Sequence, residues 1–125
     1  MNAHPTLAAD ATAAYGLHMA LLLGPWHGVS DDRPRWAGLL RDLTVRLSGS
    51  DGAARNGVGR DVLGGPLTAL RFLIDDLATH PGRLKLAVGD IVTTGTLTEA
   101  MPVRPGQTWT IEVVGGPLQG IGVRF

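Results

Sequence analysis

The chain contains no cysteine. That absence excludes disulfide cross-links and thiolate metal ligation, and it suits a cytoplasmic protein. No charge of either sign is in excess, because eleven Lys and Arg side chains stand against eleven Asp and Glu. A balanced chain has no electrostatic footprint for nucleic acid or an anionic membrane surface, so neither is expected as a partner. Aromatic residues are few, with one tyrosine, two phenylalanines and three tryptophans. Long apolar runs are missing too: the longest, Leu17 to Leu23, falls far short of the roughly 20 residues that a bilayer-spanning helix needs. No basic segment leads into an apolar core near the N-terminus, so a secretory signal is not expected.

What remains is 125 residues with 44% hydrophobic and 18% charged content, which implies one soluble globular domain over 1–125. Eighteen glycines imply many tight turns. An Ala-rich segment behind Thr6 predicts a short helix over Leu7–Tyr15. Leu17, Met19, Leu21 and Leu23 alternate before Gly24-Pro25, the punctuation of a strand, although three consecutive leucines also suit a buried helix. "WHGVSDDRPRW", from Trp26 to Trp36, is polar and turn-prone and predicts an exposed loop. Leu43, Val45 and Leu47 alternate with polar residues, and "SGSDG" then predicts a hairpin returning through Ala53 to Val58. Pro66 opens a helix whose apolar stripe is Leu67, Leu70, Leu73, Ile74 and Leu77, and His80-Pro81 closes it. Ile91–Thr94 is a further strand candidate, and two more follow, with Trp109, Ile111 and Val113 in one and Ile121, Val123 and Phe125 in the other. One main helix against a mostly antiparallel or mixed sheet is the fold these patterns predict.

Few motifs carry chemistry. "GVGRDVLGG", Gly57 to Gly65, lacks both the dinucleotide fingerprint and the Gly-Lys-Ser/Thr ending of a phosphate loop, so it reads as a close-packed turn. The four histidines show no metal-ligand spacing, and Asp31-Asp32 and Asp75-Asp76 read as solvated charge. His18, inside the leucine run, is the histidine placed to act as an acid or base. Trp26, Trp36 and Trp109 either pack in the core or line a pocket for a ring-bearing ligand. "TTGTLT", Thr93 to Thr98, combines hydroxyls with a glycine that lets the backbone approach a ligand, a pattern able to hold a carboxylate or enolate oxygen.

The phrases "ALLLGPW" (Ala20–Trp26), "LRDLTVRLSGSDGAARNGVGRDVLGGPLTALRFLIDDLA" (Leu40–Ala78), "LAVGDIVTTGTLTEAMPVRPGQTW" (Leu86–Trp109) and "GIGVRF" (Gly120–Phe125) occur in an order that resembles the C-terminal half of the 2-keto-4-pentenoate hydratase and 4-oxalocrotonate decarboxylase group of the fumarylacetoacetate hydrolase superfamily. The resemblance implies an α+β fold, a β-rich mixed sandwich or roll, truncated, with one main helix at about 66–80. It sets 1–16 apart as a variable segment and assigns 17–125 to the hydratase-like half. It implies a substrate-binding role for Gly95, Thr96, Leu97 and Thr98, with Thr96 donating to the substrate. Trp26 is expected on the apolar wall, and His18 or Tyr15 as acid and base.

Family members use Mg²⁺ or Mn²⁺ as a Lewis acid on 2-keto or 2-hydroxy-dienoic acids. The Glu-x-Glu pair that helps hold the metal has no counterpart in this chain, and Ala13, Ala14 and Tyr15 stand where the family shows an Ala-Asp-Asn-type segment. Three accounts follow. The preferred one is a compact hydratase-like enzyme without a cofactor, promoting proton transfer, addition, elimination or cyclisation of a conjugated keto or enol small molecule. The second is the C-terminal subunit of a split enzyme in which a separately encoded N-terminal half supplies the carboxylates for Mg²⁺. The third is a non-catalytic binding or scaffolding subunit. Exposed sheet edges in half a fold predict a homodimer or a tight partner.

Overall fold

The computed structural model describes residues 20–82 and 84–125. The helix expected over Leu7–Tyr15 lies outside the described residues, as do residues 17–19 at the start of the leucine run. Residues 20–29 carry no regular secondary structure, and Leu21, Leu22 and Leu23 are exposed. This part of the run is not a strand: Gly24-Pro25 cuts it before a pairing edge is reached.

The loop expected from Trp26 to Trp36 turns helical at Ser30. A 3-10 turn over Ser30–Asp32 leads into helix α1, Arg33–Asp42. Asp32 caps it, its carboxylate accepting from the Arg35 N–H at 3.2 Å, and Pro34 occupies the first turn, where its missing donor costs nothing. Trp36, Leu39 and Leu40 share one side of α1 at helical spacing and are half-buried.

Strand β1, Thr44–Gly49, pairs with β2, Ala54–Val58, as the expected hairpin. Its turn is closed by the Gly52 N–H donating to Gly49 O, while the Asp51 carboxylate accepts from the Ala53 N–H at 3.0 Å. After a 3-10 turn at Gly59–Asp61, helix α2 runs from Pro66 to Thr79. The chain from 84 to 107 has no regular elements, and strands β3, Thr108–Val114, and β4, Ile121–Arg124, follow. The sheet order is β2-β1-β3-β4 with every neighbour antiparallel. Over the described residues the fold is therefore α+β with two helices and an antiparallel sheet, where the sequence allowed a mixed sheet and one main helix.

Register gives the sheet two unlike faces. Val45 pairs with Val113, Leu47 with Ile111, Gly49 with Trp109, and Ile111 with Ile121. Strand alternation puts all of these on one apolar face, and Arg46, Asn56, Glu112, Thr110 and Arg124 on the other. The buried hydrophobic residues are Leu43, Val45, Val62, Ala69 and Trp109. Helix α2 packs chiefly beside α1 rather than on the sheet, and it half-buries Leu70, Leu73 and Leu77 while Leu67 and Ile74 stay exposed.

Candidate functional site

The Ile91–Thr94 run pairs with no strand among the described residues. The segment it leads into crosses the apolar sheet face instead of adding to an edge. Gly57 of β2 is where the crossing is closest: a Cβ built there would lie 1.8 Å from the Leu97 carbonyl oxygen. No side chain fits that gap, so glycine at 57 lets backbone ride over backbone. Gly95 has φ +115°, a left-handed conformation, and lies against Val62. Glycine is needed here for conformation rather than space, because the chain turns at 95 and presents the next residues over the sheet. Beyond the crossing, the Arg55 guanidinium donates to the Glu99 carboxylate at 3.0 Å, an exposed ion pair that ties the segment to β2.

This crossing leaves two adjoining clefts. One, of about 350 Å³, is bounded by Gly95, Thr96, Leu97 and Thr98 above and by Val45, Leu47 and Ile111 below. The second, of about 210 Å³, shares Leu47, Thr96 and Thr98 and continues over Trp109, Val123 and Phe125. Thr96 is exposed, at the junction of the two. Neither cleft is lined by Lys or Arg, and Glu99 is the one charged side chain among the residues lining them. Trp109 is 4% exposed and forms the floor of the second cleft, its indole N–H directed to Gln107 Oε1 at 3.3 Å.

The structure thus brings Gly95, Thr96, Leu97 and Thr98 together over an apolar floor. It does not bring Trp26 to them: that side chain is 77% exposed and lines neither cleft. The segment meets the sheet two residues earlier, where Gly24 lies against Ile121, and Trp26 itself is left in solvent. Trp36 lies elsewhere as well, in a small apolar cleft with Val29, Leu40 and Leu67 and with its ring centroid 5.6 Å from that of His27. His27 Nε2 is buried without a hydrogen-bond partner, but His27 lines neither cleft beside Thr96. Tyr15 and His18 lie outside the described residues. The alternation of Val123 and Phe125 is visible in sequence. Their meeting with Met101 and Val103 in one wall depends on a crossing that sequence spacing does not encode.

No family model matches the sequence. Solved structures do. The chain is similar to 4-oxalocrotonate decarboxylase from Pseudomonas putida G7 in its complex with calcium and acetate, at 34% identity and TM-score 0.60. The same decarboxylase complexed with magnesium and adipate matches at 31% identity and TM-score 0.55. This likeness bears out the resemblance to the C-terminal half of a fumarylacetoacetate hydrolase superfamily member. In both comparisons the match covers 70% of this chain and 32% of the decarboxylase, so the chain spans about a third of the length of that superfamily member.

The superfamily neighbours overturn one expectation. An enzyme without a cofactor was preferred from the sequence, yet both decarboxylase structures hold a divalent cation. The missing Glu-x-Glu pair shows where the cation's ligands are absent, not that the chemistry dispenses with the cation. Among the described residues no group of three His, Asp or Glu side chains stands close enough to hold a metal ion. Asp10 is the one carboxylate side chain outside them. Magnesium requires near-octahedral oxygen coordination and is commonly held through one or two carboxylates. The described residues do not by themselves make such a site.

Among the described residues no helix is long and apolar enough to cross a membrane.

Proposed function

We propose that this chain supplies the substrate-orienting part of a lyase-type enzyme that acts on a small 2-oxo or enol acid. The divalent cation that belongs with such chemistry takes its ligands from outside the described residues. The observation that carries the reading is Thr96, exposed at the junction of two apolar clefts on a sheet that resembles the decarboxylase.

The chemistry of the clefts supports it. With no Lys or Arg lining them, a bound carboxylate is met by neutral donors, and the hydroxyls of Thr96 and Thr98 are the groups available to donate. A hydrogen bond from a neutral donor to a charged acceptor contributes about 1.5–3 kcal/mol. The apolar floor of Val45, Leu47 and Ile111 excludes water beneath the carbon chain and strengthens those bonds. Proton transfer, addition or elimination beside the oxo group of such an acid requires the reacting bond to align with the neighbouring π system. Fixing the carboxylate at one end and the carbon chain along the floor is how these residues favour that alignment, and well-oriented geometry is worth up to about 7–11 kcal/mol of barrier. Proton delivery falls in this reading to His18 or Tyr15.

Thr96→Val tests the proposal, because valine keeps the volume and removes the hydroxyl. In calorimetric titration with a 2-oxo acid in magnesium-containing buffer, the variant should bind about tenfold to a hundredfold more weakly, with an unchanged melting temperature. Equal affinity of the two proteins would refute the role given to Thr96.

A further inference from the structure

The second cleft narrows the substrate class, an inference that rests on the binding role proposed for Thr96. From Thr96 and Thr98 this cleft runs away from the Gly95 turn, over Leu47 and the buried ring of Trp109, to Val103, Val123 and Phe125. Apart from the two threonines at its near end, its only polar side chain is Glu99, already paired with Arg55 at 3.0 Å. The adipate carried by one of the decarboxylase structures is a molecule with a carboxylate at each end. With one carboxylate at Thr96, the second would enter a region that offers it no cation and no free donor from a lining side chain. There it would gain no hydrogen bond from a lining side chain, and it would cover the apolar floor without the contacts that an apolar group makes. An apolar group loses nothing in the same place. The cleft, of about 210 Å³, leaves room for a ring laid against its apolar floor.

We infer that the substrate is a 2-oxo or enol acid bearing an aryl or similarly bulky apolar substituent at the end remote from its carboxylate, and that the second cleft selects against a terminal carboxylate. Phe125, half-exposed at the end of the cleft, offers a planar ring an aromatic partner, which favours offset or edge-to-face packing as well as burial.

The test compares 2-oxo-4-phenylbutanoate with 2-oxoadipate, an aryl and a carboxylate-ended 2-oxo acid, on the full chain in magnesium-containing buffer. Binding is followed through the Trp109 indole N–H resonance. The aryl acid should bind at least about tenfold more tightly, reflecting the apolar area that it removes from water. Val103 is 46% exposed, so Val103→Arg should leave the fold intact while placing a cation in the second cleft. That variant should lose the preference for the aryl acid and bind 2-oxoadipate more tightly than the wild type does. Tighter binding of 2-oxoadipate by the wild type overturns this inference and leaves the role of Thr96 standing. If neither acid binds, the Thr96 site itself fails and the inference falls with it.

Discussion

Two loops of this chain turn on glycine and adjoin regular elements, and the fold treats them in opposite ways. Gly57–Gly59, where the first of them begins, is filled by the protein's own backbone. A Cβ at Gly59 would lie 1.9 Å from the Leu40 carbonyl oxygen, and one at Gly57 would meet that of Leu97. The Gly59 N–H donates to Leu43 O at 3.0 Å, joining the end of β2 to the end of α1. Thr93–Thr98, by contrast, is held up by its neighbour: Gly57 accepts its backbone, Gly95 turns it, and Thr96 is left exposed between clefts. One loop has closed around packing and the other has kept hydroxyls open to solvent. The presence of a glycine alone does not distinguish a binding loop from a structural one. The discriminating feature is whether the space that the glycines create is already occupied.

The comparison breaks most severely at Gly59. Gly59→Ala forces a methyl group into the Leu40 carbonyl and should cost on the order of 2–4 kcal/mol in denaturant unfolding. A loss under about 0.5 kcal/mol would mean that the first loop is not closed as described. Gly95→Ala should be milder. Its φ of +115° is one that alanine adopts only with strain, and Val62 lies 3.3 Å from the added carbon, so a loss of about 1–3 kcal/mol is expected. Unlike Gly59→Ala, it should also weaken binding of a 2-oxo acid under conditions where the variant remains folded. Calorimetry at a temperature well below the transition separates the two effects.

The smallest effect comes from the exposed charges that bridge α1 to the first loop. Asp42 accepts from Arg41 at 2.7 Å and from Arg60 at 3.1 Å. The hydrogen bond from Arg41, with the nearby Arg41 and Arg60 charges, holds the Asp42 carboxyl below its ordinary range despite a smaller opposing effect of desolvation. A carboxyl with a depressed folded-state pKa stabilises above its unfolded value, and that contribution disappears as pH falls through the folded one. Asp42→Asn should therefore be slightly less stable than the wild type at neutral pH, with the gap closing as pH drops below the usual carboxylate range. Parallel denaturant midpoints against pH read this directly, and a gap that persists in acid contradicts it. Ligand affinity should not change at neutral pH.

Much of the fold was legible in the residues. Alternation at Leu43–Leu47, Trp109–Val113 and Ile121–Phe125 locates strands because the sheet has one apolar and one polar face. Pro66 and the stripe behind it locate α2. Helix α1 was hidden because Asp32 and Pro34 are turn formers that also start helices, and local sequence does not say which role wins. Ile91–Thr94 has strand chemistry, but the edges of the sheet are β2 and β4 and the segment lies across a face. The hydroxyl-glycine pattern of Thr93–Thr98 was readable as a candidate site. The wall that gives it an apolar extension was not, since Leu47, Val103 and Val123 meet only after the chain crosses the sheet. The expectation of an enzyme without a cofactor failed because it treated ligands missing from this chain as chemistry missing from the superfamily.

A residue-resolved titration decides the central claim. Backbone amide resonances are followed while a 2-oxo acid is added in magnesium-containing buffer. The account predicts saturable shifts concentrated at Thr93–Thr98 and at the Trp109 indole. Shifts confined to Gly64–Thr68, where Arg41 and the start of α2 border a separate cleft of about 340 Å³, or no saturable shift at Thr96, would contradict it.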